Sequence, residues 1–315
     1  MHKKQPLSLT DRIALIDGFD MGVANRTGTY VIKEEQLTLI ETGPSPSVPY
    51  IKQGLADLGY SLDEVKYIIV THIHLDHAGG AGVLLKQCPQ AKVVVHPRGK
   101  RHLADPSKLI AGARAIYGDR FAEFFDPIEP IPEDRLLTKD EGDTLEISPT
   151  CTLKFLNTPG HARHHFSIYD SVSNGVFTGD TVGVRYDQLI KDGVELFLPS
   201  TSPNHFDPEA MHDSIDRMLR MKLDRVYFGH YGMTEKPEEA MMQVKKWLDL
   251  FVEEGEQVMA ENLGYDVLSS RIQTHIKKYL EERGIPDKHE VYMLINLDMD
   301  VSSLGMIDYF QKVKH

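Results

Sequence analysis

The sequence predicts an α/β fold with a helical C-terminal extension, and three observations predict it. Short β-type runs alternate with helical stretches, metal-binding side chains follow several of those runs beside glycines, and after Lys236 the composition turns to helix formers. The densest signal is the β-type run 66–70 followed by THIHLDHAGG, residues 71–80, which gathers His72, His74, Asp76 and His77. His72 and His74 stand two apart on an extended stretch and so point the same way. The chain then turns, and Asp76 and His77 open a predicted helix over 78–87 that faces the second pair toward a neighbouring point. Imidazole and carboxylate are good ligands for zinc, iron or manganese, and two such pairs suit two ions better than one. The plain alternative, a solvated loop rich in histidine, is opposed by further ligands at suitable places downstream.

The remaining elements follow in order. Residues 28–33 and 37–41, joined by the polar turn 34–36, read as a β-hairpin that ends at Thr42, Gly43 and Pro44. Residues 50–59 read as a helix stopped by Gly59, and 65–71 and 92–96 as strands. The stretch 97–141 is longer than a plain connection, and a helical stripe over 107–125 carries Leu109, Ile110, Ile116, Tyr117, Phe121, Phe124 and Phe125. That stripe is core packing or, at its aromatic end, a wall beside the metal site. His161 follows the run 153–158, with Pro159 and Gly160 making the turn. Asp180 follows 175–178, and His230 follows 225–228. Each stands where a sheet presents loop residues to a ligand. Taken singly such histidines are usually structural; as a set with the first motif they point to one site.

Pro237 at a first helical position, Glu238 and Glu239 in the first turn, and Met241, Val244, Trp247, Leu248, Phe251 and Val252 at helical spacing start the extension. Further helices are predicted over 270–283 and 302–313. The expected organisation is therefore a catalytic domain over 1–236 and a helical extension over 237–315 packed on it, because its faces are too apolar for water.

HxHxDH at 72–77, TPGH ending at His161, GD at 179–180 and GH at 229–230 make the chain resemble the metallo-β-lactamase-fold hydrolases, over roughly residues 13–236. This superfamily holds glyoxalase II, lactonases and many thioesterases. The resemblance implies an αββα sandwich. It also implies that His72, His74 and His161 hold one divalent transition-metal ion and that Asp76, His77 and His230 hold a second, with Asp180 bridging. Zinc is the first expectation, with iron and manganese as alternatives. An aspartate at the bridging position is similar to the glyoxalase II and lactonase branches, whereas true β-lactamases usually carry a cysteine there. Two ions ~3.5–4 Å apart bind a water and lower its pKa toward ~7, so a bridging hydroxide becomes the nucleophile.

Asp76 is then both a ligand and a candidate catalytic proton carrier, and His165, four residues after His161, a support for the ligands. His96, His102, His164, His205 and His212 read as ordinary polar residues. The expected substrate is a small molecule with an activated acyl bond, thioester or lactone. Tyr186 and, on the tail, Phe310 are the candidate pocket residues.

Composition narrows the partners. A net charge of −12 opposes an extended nucleic-acid surface, and no run approaches the ~20 apolar residues of a membrane span. Two cysteines make no disulfide framework, and the expected location is cytoplasmic. Assembly into a homo-oligomer is compatible with the sequence. The runner-up reading is a metal-binding regulator or a di-iron redox protein with little turnover, although such redox relatives usually carry an acidic residue where His74 stands.

Overall fold

Strands that are apolar on both faces demand cover on both sides, and the first half of the chain is built of them. In the computed structural model, which describes residues 4–313, one mixed sheet runs in the order β1 (Leu7–Ser8), β2 (Ile13–Asp17), β3 (Gly28–Ile32), β4 (Leu37–Ile40), β5 (Val65–Ile69), β6 (Lys92–Val95) and β7 (Leu136–Thr138). Pairing is antiparallel through β4 and parallel from β4 to β7. A second sheet contains β8 (Thr144–Ser148), β9 (Cys151–Asn157), β10 (Phe166–Asp170) and β11 (Gly175–Phe177). After a small ribbon of β12 (Val184–Arg185) and β13 (Phe197–Leu198), it is completed by β14 (Arg225–Tyr227) and β15 (Met233–Thr234), in the order β15-β14-β11-β10-β9-β8.

The period of two along each strand divides the core. Ile13, Leu15, Tyr30, Ile32 and Ile69 share one buried cluster with Leu153, Phe155, Phe166, Ile168 and Phe177 of the second sheet, so the two sheets face each other. The alternate residues Ala14, Ile16, Val31, Leu39 and Ile68 face helices instead. These are α1 (Val48–Asp57), which supplies Ile51 and Leu55, and the short pair α2 (Leu75–Ala78) and α3 (Ala81–Leu85). The α/β sheet-and-helix architecture expected from the sequence is therefore present.

The helices depart from expectation in three places. The predicted helix 78–87 is two pieces separated at Gly79 and Gly80, where a Cβ would strike the Leu75 carbonyl and the Val48 side chain respectively, and Asp76 and His77 lie inside the first piece. The stripe 107–125 follows α4 (Pro97–Ala104) and splits into α5 (Ser107–Tyr117) and α6 (Phe121–Phe125) at Gly118, whose φ of 55° ends the first helix. In the tail, after α7 (Pro208–Arg220) and α8 (Pro237–Ala260), α9 runs Tyr265–Glu281 and α10 runs Val291–Val313, well ahead of the predicted starts. Asp298 and Asp300 interrupt the apolar period of α10, but each has a partner: Tyr186 donates to Asp298 and Ser269 to Asp300. Polar residues with committed partners lie in a helix without breaking it, which a periodicity count cannot see.

Two compact units are distinguished by their internal packing. The first comprises the chain up to Asn157 with His164–Gly179 and Leu223–Glu235; it contains both large sheets and α1–α6. The second comprises Thr158–Arg163, Asp180–Lys222 and the described residues from Lys236 onward, hence α7 and the three tail helices. Among the described residues no helix is long and apolar enough to cross a membrane. Cys88 and Cys151 are buried free thiols, each pushed up to about 12 chiefly by burial.

One glycine tests the packing of the helix layer. A Cβ on Gly82 in α3 would lie 2.1 Å from the backbone oxygen of Glu129. Glycine to alanine normally stabilises a helix interior by about 1 kcal/mol. Here Gly82→Ala is expected to destabilise by about 1–3 kcal/mol instead, because backbone has to move. Thermal or urea unfolding of the variant checks the sign.

Candidate metal centre

β5 ends at Ile69, and Val70 and Thr71 carry the extended chain into the histidine motif. Alternation then sorts the side chains. Ile73 is buried in the helix-side core, whereas the rings of His72 and His74 on either side of it lie 4.5 Å apart at 82°. Leu75 packs with Phe121, Phe124 and Phe125, so the aromatic end of the predicted stripe buttresses the turn between the two ligand pairs. Asp76 and His77 then lie in α2, with the His77 ring 4.2 Å from that of His72.

The imidazoles are held by one nitrogen. His77 Nδ1 is 3.1 Å from Glu41 Oε2, and the other oxygen of Glu41 accepts the Thr71 amide at 2.8 Å. His72 Nδ1 is 3.0 Å from the Thr71 hydroxyl. Anchoring Nδ1 in this way leaves Nε2 for a cation, the usual arrangement around metal-ligating histidines. His230 follows β14 on a turn that Tyr30 supports: its hydroxyl lies 2.6 Å from the carbonyl oxygens of both Phe228 and Gly232. His77 Nε2 and His230 Nε2 lie 3.5 and 3.6 Å from Asp76 Oδ2. All three ligand atoms fall within 4.8 Å of one another.

In the second unit, Gly160 turns the chain at φ 133° where a Cβ would collide with Met211 of α7, and Ser214 of α7 donates to the Pro159 carbonyl at 2.7 Å. This fixes His161, whose Nδ1 is 2.9 Å from the Ser200 carbonyl oxygen and whose Nε2 is 3.6 Å from Asp180 Oδ2. The Ser200 hydroxyl donates to that same carboxylate oxygen at 2.9 Å. Each unit thus carries part of the expected ligand set. A tetrahedral ion with bonds of ~2.0–2.2 Å sets its donor atoms about 3.3–3.6 Å apart, so the Asp76 and Asp180 separations and the hard oxygen and imidazole donors fit a zinc-like divalent ion.

Other expected residues fall nearby or elsewhere. The His165 ring is 5.1 Å from that of His72. His164, read from sequence as ordinary, is buried with its ring 6.3 Å from His72 and 5.4 Å from His74. Tyr186 is buried and donates to Asp298 at 2.9 Å, and Phe310 lies in the α8–α10 contact, where a Cβ on Gly255 would come within 2.4 Å of its ring. Sequence reasoning missed Glu41, Ser200 and Asp20. The sequence signal for Glu41 was an acidic residue directly after the buried strand β4; the structure adds a left-handed conformation (φ 63°) rarely given to a non-glycine residue. Asp20 is buried beside Arg26, with Arg26 Nε 3.2 Å from Oδ2; burial pushes its carboxyl up to about 6 while Arg26 pulls it down.

A profile of the metallo-beta-lactamase superfamily matches residues 24–230. The metallo-beta-lactamase fold-containing protein ST1585 of Sulfurisphaera tokodaii is 30% identical over 208 residues, 65% of this chain and 72% of that protein. The N-acyl homoserine lactonase AttM of Rhizobium radiobacter is 31% identical over 155 residues, 47% of this chain and 54% of that protein. The metallo-beta-lactamase family protein TTHA1429 of Thermus thermophilus superposes with a TM-score of 0.68 at 18% identity, covering 98% of this chain and 95% of that one, a likeness of fold.

Glu41 provides the test of how the centre is held. Glu41→Gln keeps the shape but weakens the bond that fixes the His77 ring, so metal affinity is expected to fall about 10–100-fold. Competition with a chelator, read beside the melting temperature of the metal-free protein, separates lost affinity from lost folding.

Proposed function

Because the chain belongs to the metallo-β-lactamase superfamily, we propose that it is a binuclear metallohydrolase that cleaves an activated acyl bond, thioester or lactone, of a small organic substrate. The single observation that carries the reading is the Asp76, His77 and His230 group, with its donor atoms within 4.8 Å of one another. These three residues would hold one divalent ion, and His72, His74 and His161 a second, with Asp180 bridging; zinc suits the donors, and iron and manganese share the ligand type. Bound ions supply Lewis acidity to a carbonyl oxygen and bring the pKa of water toward ~7.

The protein's own residues do the rest. Asp76 is the partly open member of its group, at 28% side-chain exposure against 1% for His77, so it can take a proton from water and return it to the leaving group. The Phe121, Phe124 and Phe125 cluster on Leu75 is buried, and the half-buried Met21, Ile110 and Tyr117 packed against it offer an acyl group an apolar surface beside the motif. An aspartate at position 180, in place of a softer cysteine, supports the lactonase and glyoxalase II side of the family. The net charge of −12 weighs against polyanionic substrates.

Elemental analysis is expected to give about two transition-metal ions per chain after reconstitution, with Asp180→Ala lowering occupancy and abolishing hydrolysis because a neutral residue neither balances nor spaces two cations. Rates on p-nitrophenyl esters, acyl-CoA thioesters and acyl-homoserine lactones, set beside rates on RNA and DNA, test the substrate class. Faster cleavage of nucleic acid than of every acyl substrate would overturn it, as would a metal content near zero.

A further inference from the structure

The loop between β2 and β3 holds a charged pair that the ligand set does not use. Asp20 is 2% exposed and Arg26 is 8% exposed. Asp20 is not a member of the Asp76, His77 and His230 group. Among the described residues neither of its oxygens has a hydrogen-bond partner; Arg26 Nε stands 3.2 Å from Oδ2 as an ion pair. A buried carboxylate that accepts no hydrogen bond is costly, and such groups ordinarily have a water or an ion to satisfy them.

The backbone is contorted to place it. Phe19 and Met21, on either side of Asp20, are both left-handed, at φ 46° and 53°, conformations that non-glycine residues adopt only where the surroundings force them. The surroundings do so here. Asp17 accepts the amides of Phe19 and Asn25, each at 3.0 Å, and Lys4 ties Asp17 to the Tyr231 hydroxyl next to His230. Phe19 packs at 4.8 Å against Tyr50 with the rings tilted by 32°, and Met21 packs on the aromatic cluster around Leu75. Two strained residues, clamped from both ends, hold the loop that carries Asp20 against the cluster around Leu75, next to Asp76, and tie it through Lys4 to Tyr231, next to His230.

We infer that Asp20 is a positioning residue: its carboxylate accepts a hydrogen bond from the water that attacks the acyl carbon beside Asp76, His77 and His230, and so fixes that water's orientation. Arg26, with Nε 3.2 Å from Oδ2, holds the carboxylate in place. The inference rests on the hydrolase reading above and adds to it a residue that no ligand motif contains.

The test compares Asp20→Asn with the double variant Asp20→Asn/Arg26→Gln, which removes both buried charges. Metal content, melting temperature, steady-state kinetics on an acyl substrate turned over by the wild type, and the visible absorption of the cobalt-loaded protein are read for each. Asp20→Asn is expected to lower kcat about 10–100-fold with KM within about twofold and metal content unchanged, and to shift the cobalt band. The double variant is expected to recover melting temperature and to recover neither kcat nor the band. Recovery of kcat in the double variant would show that Asp20 serves only to neutralise Arg26, and overturns the inference. An unchanged cobalt band in Asp20→Asn does the same. Should Asp20→Asn not fold, the double variant decides alone. If the wild type binds two metals and hydrolyses no acyl substrate, the hydrolase reading fails, while the cobalt band still reports whether Asp20 touches the water.

Discussion

The two oxygens of Glu41 carry more of the candidate centre than any other side chain. One accepts the Thr71 amide where the histidine motif begins, and the other meets His77 Nδ1 where it ends. The Glu41 amide in turn donates to the carbonyl of Ile69, the last residue of β5. A single residue therefore ties the strand to both ends of the loop that follows it. A loop with four potential ligands has many ways to be nearly right, and metal chemistry tolerates few of them. Fixing Nδ1 also selects the tautomer, which settles which ring nitrogen faces the cation.

The same economy recurs in the other ligand turns. Ser200 contacts His161 through its carbonyl and Asp180 through its hydroxyl, and Tyr30 reaches across the core to the turn that bears His230. In each case a residue remote in sequence orients a ligand that the chain alone leaves loosely aimed. The strands supply direction, and these cross-links supply angle. A hydrophobic contribution comes from Leu75, whose burial among three phenylalanines holds the boundary between the two ligand pairs.

What could be read from the sequence and what could not divides along the same line. HxHxDH, and the lone histidines and aspartate after short apolar runs, were legible as candidates because strand periodicity and glycine turns leave local marks, and the fold brings several of them together. Glu41, Asp20 and Ser200 were not legible, since an acid or a serine beside a strand end is common and its meaning lies in a partner tens of residues away. His164 looked ordinary for the opposite reason: it stands in a dense run of histidines whose orientations only the fold distinguishes. The tail helices were under-read where Asp298 and Asp300 broke the apolar pattern, because their partners, Tyr186 and Ser269, are invisible to a local count.

The left-handed conformation of Glu41 has a consequence for how such a protein drifts or is engineered. Glycine at that position would relieve backbone strain of about 1–3 kcal/mol, and the same applies at Phe19 and Met21. At Glu41 that relief is offset by a similar cost, about 1–3 kcal/mol, for the Thr71 amide left without its acceptor, so a search that scores heat resistance alone sees little difference and misses the lost clamp on His77. Thermal endurance is thus a poor reporter of these torsion angles, and a stabilised descendant keeps its geometry only if positions 19, 21 and 41 are held fixed while the rest of the chain is varied.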